Sequence, residues 1–285
     1  MHKPEVKKFH TLFKREGLTP QVISLFQGAI WQHYHEHGRH FPWRETHDPY
    51  HILVSETMLQ QTQTSRAVQH YSEFVSTFPS LFVLAGVPLR DVLRAWQGLG
   101  YNRRALALQR TAQQVVVEFA GQLPSDPEVL QRFPGIGPYT AAAIAAIAFN
   151  KPTVFVETNI RTVFLYYFFE KPEKITDREI VPLVKATLLK ENAREWYYAL
   201  FDYGAMLKRK RTTIGGMTRR RQAAFRGSNR EMRGRILRLV LTRDSIAEQE
   251  LAGLLTVDNE RVRKIIAQLQ EEGFIDSVDG VLRIQ

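Results

Sequence analysis

The chain of 285 residues contains no cysteine. That absence excludes disulfides, thiolate zinc sites and cysteine-ligated iron–sulfur clusters. Long apolar runs are missing too: the longest, Ala141 to Phe149, is far too short to span a bilayer. No basic, apolar, small-residue leader opens the chain, so an intracellular, cytoplasmic protein without a membrane partner is expected. Acidic residues are in deficit, 29 against 39 Lys and Arg, which gives a formal charge of +10. With a pI near 9.8, a polyanionic partner is favoured, nucleic acid or an anionic membrane. A hydrophobic content of 44% and this length fit one large soluble domain or two smaller ones.

What is present centres on Ile52 to Thr64. Asp48-Pro49 supplies an N-cap and a proline at the first helical position, where its missing N–H costs nothing. In the following helix Glu56 stands among Ile52, Leu53, Met58 and Leu59, with Gln60 one turn further on the same face. Either a carboxyl is held on a largely buried face, or the helix simply carries one solvated glutamate. Upstream, residues 1–19 are polar and basic and read as an N-terminal extension. A helix starts after Thr19-Pro20, with Val22, Ile23, Phe26, Ile30 and Tyr34 on one stripe, and stops at Gly38. His33 and His37 lie four apart, but with no third ligand placed they read as a solvated helix end. Then comes Phe41-Pro42-Trp43-Arg44. Downstream the pattern predicts helices near 65–77, 80–86, 88–97 and 102–120, none with the two-residue alternation of a half-buried strand. The class is all-α. Arg103 and Arg104, after Tyr101-Asn102, are either phosphate ligands or surface cations.

Asp126-Pro127 starts a further helix, Phe133-Pro134-Gly135-Ile136-Gly137 makes a tight hairpin, and Pro138-Tyr139-Thr140 starts an alanine-rich helix. Gly135 and Gly137 would let the backbone take positive φ and let a phosphate approach its N–H groups at a helix N-terminus. The bland alternative is a turn that only joins two helices. After an extended segment, 152–156, Glu157 stands at the mouth of another helix, with Thr158 or Asn159 able to cap it. Phe164 to Phe169 reads as core, and helices near 176–190 and 193–207 complete a domain spanning 20–207. Residues 208–230 hold nine Lys and Arg, among them Lys208, Arg209, Arg211, Arg219 and Arg220, and no acid. Such a block is a solvated loop or a phosphate-contacting surface. In 231–285, Ser245-x-x-Glu248 resembles a capping box. Val262, Ile265, Ile266 and Leu269 mark a helix that ends at Gly273, and Asp279-Gly280 is a hairpin turn. That is the element order of a winged helix, a module that contacts DNA or docks proteins.

Phe41-Pro42-Trp43-Arg44, Ser55-Glu56-Thr57-Met58-Leu59-Gln60-Gln61-Thr62-Gln63, Trp96-x-Gly98-Leu99-Gly100-Tyr101, the hairpin, and Asp202-x-Gly204-Ala205-Met206 resemble, in order and spacing, the MutY adenine DNA glycosylases. These belong to the helix-hairpin-helix glycosylases, and the resemblance covers about residues 20–207. It implies a two-lobed all-α fold that flips a base from double-stranded DNA into a cleft between lobes, acting as a monomer. Glu56 would match the acid that protonates the purine and Gln60 the wedge in the base stack. Glu157 stands where the family has an aspartate facing the sugar. Arg44, Gln61, Tyr101, Arg103, Gly135 and Gly137 join Gln60 and the basic block as the expected DNA contacts. The resemblance leaves room for a monovalent cation at the hairpin and for no other cofactor. Tyr139 falls where lyase-competent relatives place a Schiff-base lysine; a phenol forms no imine, so a monofunctional enzyme is implied. Lys208 occupies the place of the first cluster cysteine, and the winged helix replaces the family's C-terminal domain. Asn102 is more like endonuclease III.

The residues suit that chemistry. A neutral purine leaves slowly as an anion, so a carboxylic acid kept protonated by burial can hand it a proton, worth roughly 10² to 10⁴ in rate. An ionised carboxylate then faces the cationic sugar. Adenine in a mispair is the first substrate expected; uracil, thymine or hypoxanthine is the second. A catalytically weakened protein that recognises distorted duplex is the non-enzymatic alternative.

Overall fold

The stripes and caps read from the sequence become helices over most of the chain. The computed structural model describes residues 3–170, 174–210, 225–255 and 258–285. In chain order the helices are α1 (Lys3–Glu16), α2 (Pro20–His37), α3 (Pro49–Leu59), α4 (Thr64–Thr77), α5 (Leu81–Gly86), α6 (Leu89–Ala95) and α7 (Arg103–Phe119), then α8 (Pro127–Leu130), α9 (Pro138–Phe149), α10 (Thr158–Phe168), α11 (Asp177–Thr187) and α12 (Ala193–Arg209). The C-terminal elements are α13 (Asn229–Arg243), β1 (Ile246–Ala247), α14 (Glu248–Leu255), α15 (Asn259–Glu271), β2 (Ile275–Val278) and β3 (Val281–Ile284). Among the described residues the all-α expectation holds through Arg209, and the small C-terminal sheet fits the winged-helix element order expected for 231–285.

Two compact units result. The first comprises Met1–Glu56, Pro124–Arg132 and Ile136–Arg219; the second comprises Thr57–Leu123, Phe133–Gly135 and Arg220–Gln285. In the first, Phe26 of α2 meets Phe164, Tyr167, Phe168 and Trp196 at centroid separations of 5.0 to 6.0 Å. The run from Phe164 to Phe168 is core, as its composition implies. Residues 1–19 are not merely a polar extension: α1 buries Val6 and Phe9, and Phe9 lies edge-on to Tyr167 and Phe168. Two buried residues three apart among lysines make a stripe too narrow to stand out.

Asp202 on α12 is the polar centre of this unit. Its carboxylate, 1% exposed, accepts from the Arg39 N–H and Nε at 2.7 Å and from both terminal nitrogens of Arg44 at 2.9 Å. Burial works against its charge, but the Arg44 and Arg39 donors prevail and hold its pKa below the usual value. Two residues along α12, Gly204 faces α10 so closely that a Cβ there would meet the Asn159 carbonyl at 2.4 Å. Only glycine lets these helices approach so far.

In the second unit Phe74 packs edge-on to Trp96, and the start of α7 is tied down by Arg104. At the C-terminus the strands are antiparallel in the order β1-β3-β2, with Ile246 opposite Leu282 and Ile275 opposite Ile284. Asp279 and Gly280 both have positive φ, 51° and 75°, as the two-residue turn demands. Val262, Ile265, Ile266 and Leu269 are buried, as expected. Ser245 is not the cap that its spacing to Glu248 implies. It precedes β1, and α14 begins only at Glu248, because Ile246 and Ala247 are drawn into the sheet by β3. These elements share a unit with α4–α7: Asp244 accepts from Arg94 at 2.6 Å, and Glu272 accepts from Arg103 at 2.7 Å and Arg233 at 2.5 Å.

Candidate active site

Three elements of the first unit bring Glu56, Tyr139 and Glu157 together. Glu56 rides on α3 beside Ile52, Leu53 and Val54, all buried; Tyr139 sits in the first turn of α9; Glu157 immediately precedes α10. The cap of α10 is Glu157 itself rather than Thr158 or Asn159. Its Oε1 accepts from the Asn159 N–H at 2.6 Å and the Ile160 N–H at 2.7 Å, and its Oε2 accepts from the Asn159 amide nitrogen at 3.2 Å. The side chain thus folds back over the start of α10.

Burial acts on both carboxyls, but their other surroundings differ. Although part of its surface remains accessible, the Glu56 carboxyl is enclosed by neighbours. Burial first, and the charge of Glu157 second, push it up to about 7. Burial also raises Glu157, but the N–H groups of Asn159 and Ile160, the Lys208 ammonium and the Asn159 side chain all pull back toward the ionised form. The Glu56 carboxyl thus keeps its proton up to about neutral pH, while Glu157 is the carboxyl supplied with donors that favour its ionised form. The Tyr139 ring lies edge-on to Phe155 at 5.4 Å. More than a third of the residue is accessible, yet burial of the phenol and the nearby Glu56 and Glu157 raise its pKa, so it stays protonated.

Around the hairpin, Gly135 has φ +76°, and a Cβ there would meet that of Ala107 at 2.9 Å; glycine is required twice over. Gly137 differs from expectation. It has φ −84° and ψ 175° as the N-cap of α9, with open space where a Cβ would stand, so its use is room beside the helix N-terminus rather than positive φ. The Gln60 side chain donates to the Gly135 carbonyl at 3.3 Å, and Gln61 has φ +56°. Tyr101 also has positive φ, and its hydroxyl accepts from Arg230 at 3.2 Å.

Several expected cations are occupied. Arg44 is the clearest correction: its side chain is 8% exposed, forked onto Asp202 and stacked on Tyr198, so it serves the fold and cannot reach a phosphate. Arg103 is 71% exposed but forks onto Glu272. Arg104, open to two surface readings, is neither. Its buried guanidinium donates to the carbonyls of Thr57, Met58 and Gln60 at 2.9, 2.8 and 2.6 Å and to those of Leu99 and Gly100 at 3.2 and 3.0 Å. A signal was there: Arg104 continues the buried stripe of Leu108, Ala112 and Val115 on α7. Lys208 donates to Asn159 Oδ1 at 2.7 Å, and Arg209 ends α12 exposed; Arg211, Arg219 and Arg220 lie outside the described residues. His33 and His37 pack ring to ring at 5.2 Å, and no cluster of three metal-ligating side chains occurs among the described residues. Nor, among those residues, is any helix long and apolar enough to cross a membrane.

Comparison with known proteins is decisive at the level of family. Residues 54–186 match the HhH-GPD superfamily base excision DNA repair protein family. An adenine DNA glycosylase of Mycobacterium tuberculosis is 32% identical over 298 residues, covering 95% of this chain and 96% of that protein. The chain belongs to the HhH-GPD superfamily. The adenine DNA glycosylase of Homo sapiens is 38% identical over 150 residues, which span 50% of this chain and 28% of the human protein. Among solved structures, a thermostable thymine-DNA glycosylase superposes with a TM-score of 0.60 at 26% identity, over 65% of this chain and 86% of that one. A non-covalent endonuclease III–DNA complex superposes with a TM-score of 0.55 at 17% identity over 64% of this chain and 84% of that one, a likeness of fold alone.

Proposed function

We propose that the protein is a monofunctional DNA glycosylase of base excision repair that removes adenine from a mispair, without an iron–sulfur cluster. The observation that carries this reading is a pair of carboxyls in unlike surroundings, Glu56 held up to about 7 by burial and Glu157 accepting from two backbone N–H groups at a helix cap. With a flipped adenine against α3, the Glu56 proton passes to a ring nitrogen as the glycosidic bond stretches, and the base leaves neutral. Positive charge grows on the sugar, and Glu157, already organised by two backbone N–H groups, stabilises it without rearrangement. Water then completes hydrolysis. Tyr139 offers a phenol rather than an amine, so no imine with the sugar forms. The names of the Mycobacterium tuberculosis and human relatives support adenine. Excision of mispaired thymine is the second reading, favoured by the superposition on the thymine-DNA glycosylase. Duplex anchoring falls to the open helix end at Gly137, Gln60, Gln61, Tyr101 and the block that starts at Arg209, offsetting the few kcal/mol of base extrusion. The winged-helix-like segment takes the place of an opposite-strand reader.

A panel of duplexes, each with one A, T, U or hypoxanthine mispair, tests this by the alkali-labile sites formed under single-turnover conditions. Adenine release is expected to exceed release of the other bases, with strand cleavage only after alkali and no borohydride-trapped adduct. Preferential release of thymine would move the assignment to the second reading, and a trapped adduct would contradict monofunctional chemistry.

A further inference from the structure

Lys208 projects from the last turn of α12, exposed, in the basic stretch that reads as a phosphate surface. Its geometry directs it elsewhere. The ammonium donates to Asn159 Oδ1 at 2.7 Å, while the same amide donates through its nitrogen to Glu157 Oε2 at 3.2 Å. A lysine can only donate and a carboxylate can only accept, so the two bonds fix which way the Asn159 amide points. Gly204, one turn before Lys208 on the same face of α12, permits the close approach of α10 that sets this reach. Lysine is also favoured here because the carbonyl end of α12 attracts a cation.

We propose that Lys208 is a positioning residue for catalysis: through Asn159 it orients Glu157 and keeps that carboxylate charged opposite the reacting sugar. The inference rests on Glu157 being the ionised partner of the proposed reaction. Among the described residues, the charged and titratable groups that act on Glu157 or are acted on by it include Glu56 from α3 and Tyr139 from α9, both raised by its charge, and Lys208 from α12. Lys208 is the one cation acting on Glu157 among these, and it opposes the burial that raises the carboxyl. Because the ammonium is solvent-exposed, its influence is screened and moderate. It adjusts the acid limb of activity rather than switching activity on.

The test compares parent, Lys208→Met and Lys208→Arg at saturating enzyme, where DNA affinity no longer limits the rate. Lys208→Met is expected to move the acid limb of the single-turnover pH profile to higher pH, with excision at pH 6 lower by about two- to five-fold and the alkaline limb unmoved. Lys208→Arg should restore the profile. In parallel, the Glu157 carboxyl is titrated by ¹³C NMR, its resonance assigned by Glu157→Gln; its pKa should rise in Lys208→Met and return in Lys208→Arg. If Lys208→Met weakens duplex binding but leaves both the acid limb and the Glu157 titration unchanged, Lys208 is a phosphate contact and the inference fails. Should the parent excise no base, the functional reading fails, and an unshifted Glu157 titration would then overturn the positioning role separately.

Discussion

At the scale of single residues, Glu56 has a consequence for stability as well as for catalysis. Its folded pKa near 7 lies above the ordinary 4.5, so the fold binds the proton more tightly than the unfolded chain does. The contribution is fully present below about 4.5 and is lost as pH rises through about 7. Glu56→Gln removes the titration, so the variant should be more stable than the parent at pH 8.5, by at most about 3 kcal/mol, and nearly equal to it at pH 5. Urea unfolding at the two pH values measures this. A stability difference independent of pH would show that Glu56 is not desolvated. The sequence identified this carboxyl because a glutamate among Ile52, Leu53 and Met58 breaks an otherwise apolar face. It could not show that Glu157 caps its own helix, since glutamate is an unusual N-cap and Thr158 and Asn159 both compete for the role on propensity.

Among elements, the decisive junction is where the end of α3 meets the turn before α7. Five carbonyls and the Thr62 hydroxyl converge on the Arg104 guanidinium, which stacks against Trp96 and Tyr101 at 5.4 and 5.5 Å. Burial lowers its pKa to about 10, still well above neutrality. Arg104→Met should therefore cost about 3 kcal/mol or more, because the carbonyls lose a buried cation they cannot replace. Arg104→Lys, with a single nitrogen, should recover part of that. Urea midpoints decide; a Met variant within 0.5 kcal/mol of the parent, a margin typical of neutral surface changes, would rule out this role. Most helix positions were legible, since caps and stripes are local, but α1 and the start of α14 were not. Which of two adjacent arginines is buried was not, because both follow the same turn and only the three-dimensional position of α3 separates them. The hairpin shows the same limit: Pro-Gly-x-Gly announced a turn, but not that only Gly135 takes positive φ.

For the whole molecule, charge is unevenly distributed. Residues 229–285 carry nine basic and ten acidic side chains, so the excess positive charge resides in the remainder of the chain. In the C-terminal hairpin Asp276 and Asp279 flank the exposed Val278, a poor surface for phosphate. Glu272 and Asp244 instead spend their charge on Arg103, Arg233 and Arg94 within their own unit. The element order of this segment was legible but not its partners, because an ion pair such as Arg103–Glu272, 169 residues apart, leaves no periodic trace. The HhH-GPD region, by contrast, was legible from short motifs. The proposed chemistry depends most on Glu56 as the proton donor. Single-turnover excision of adenine from a mispaired duplex, compared between parent and Glu56→Gln at saturating enzyme, tests it directly. A fall of roughly 10² to 10⁴ in rate with duplex affinity kept is the predicted result; a variant as fast as the parent would contradict it.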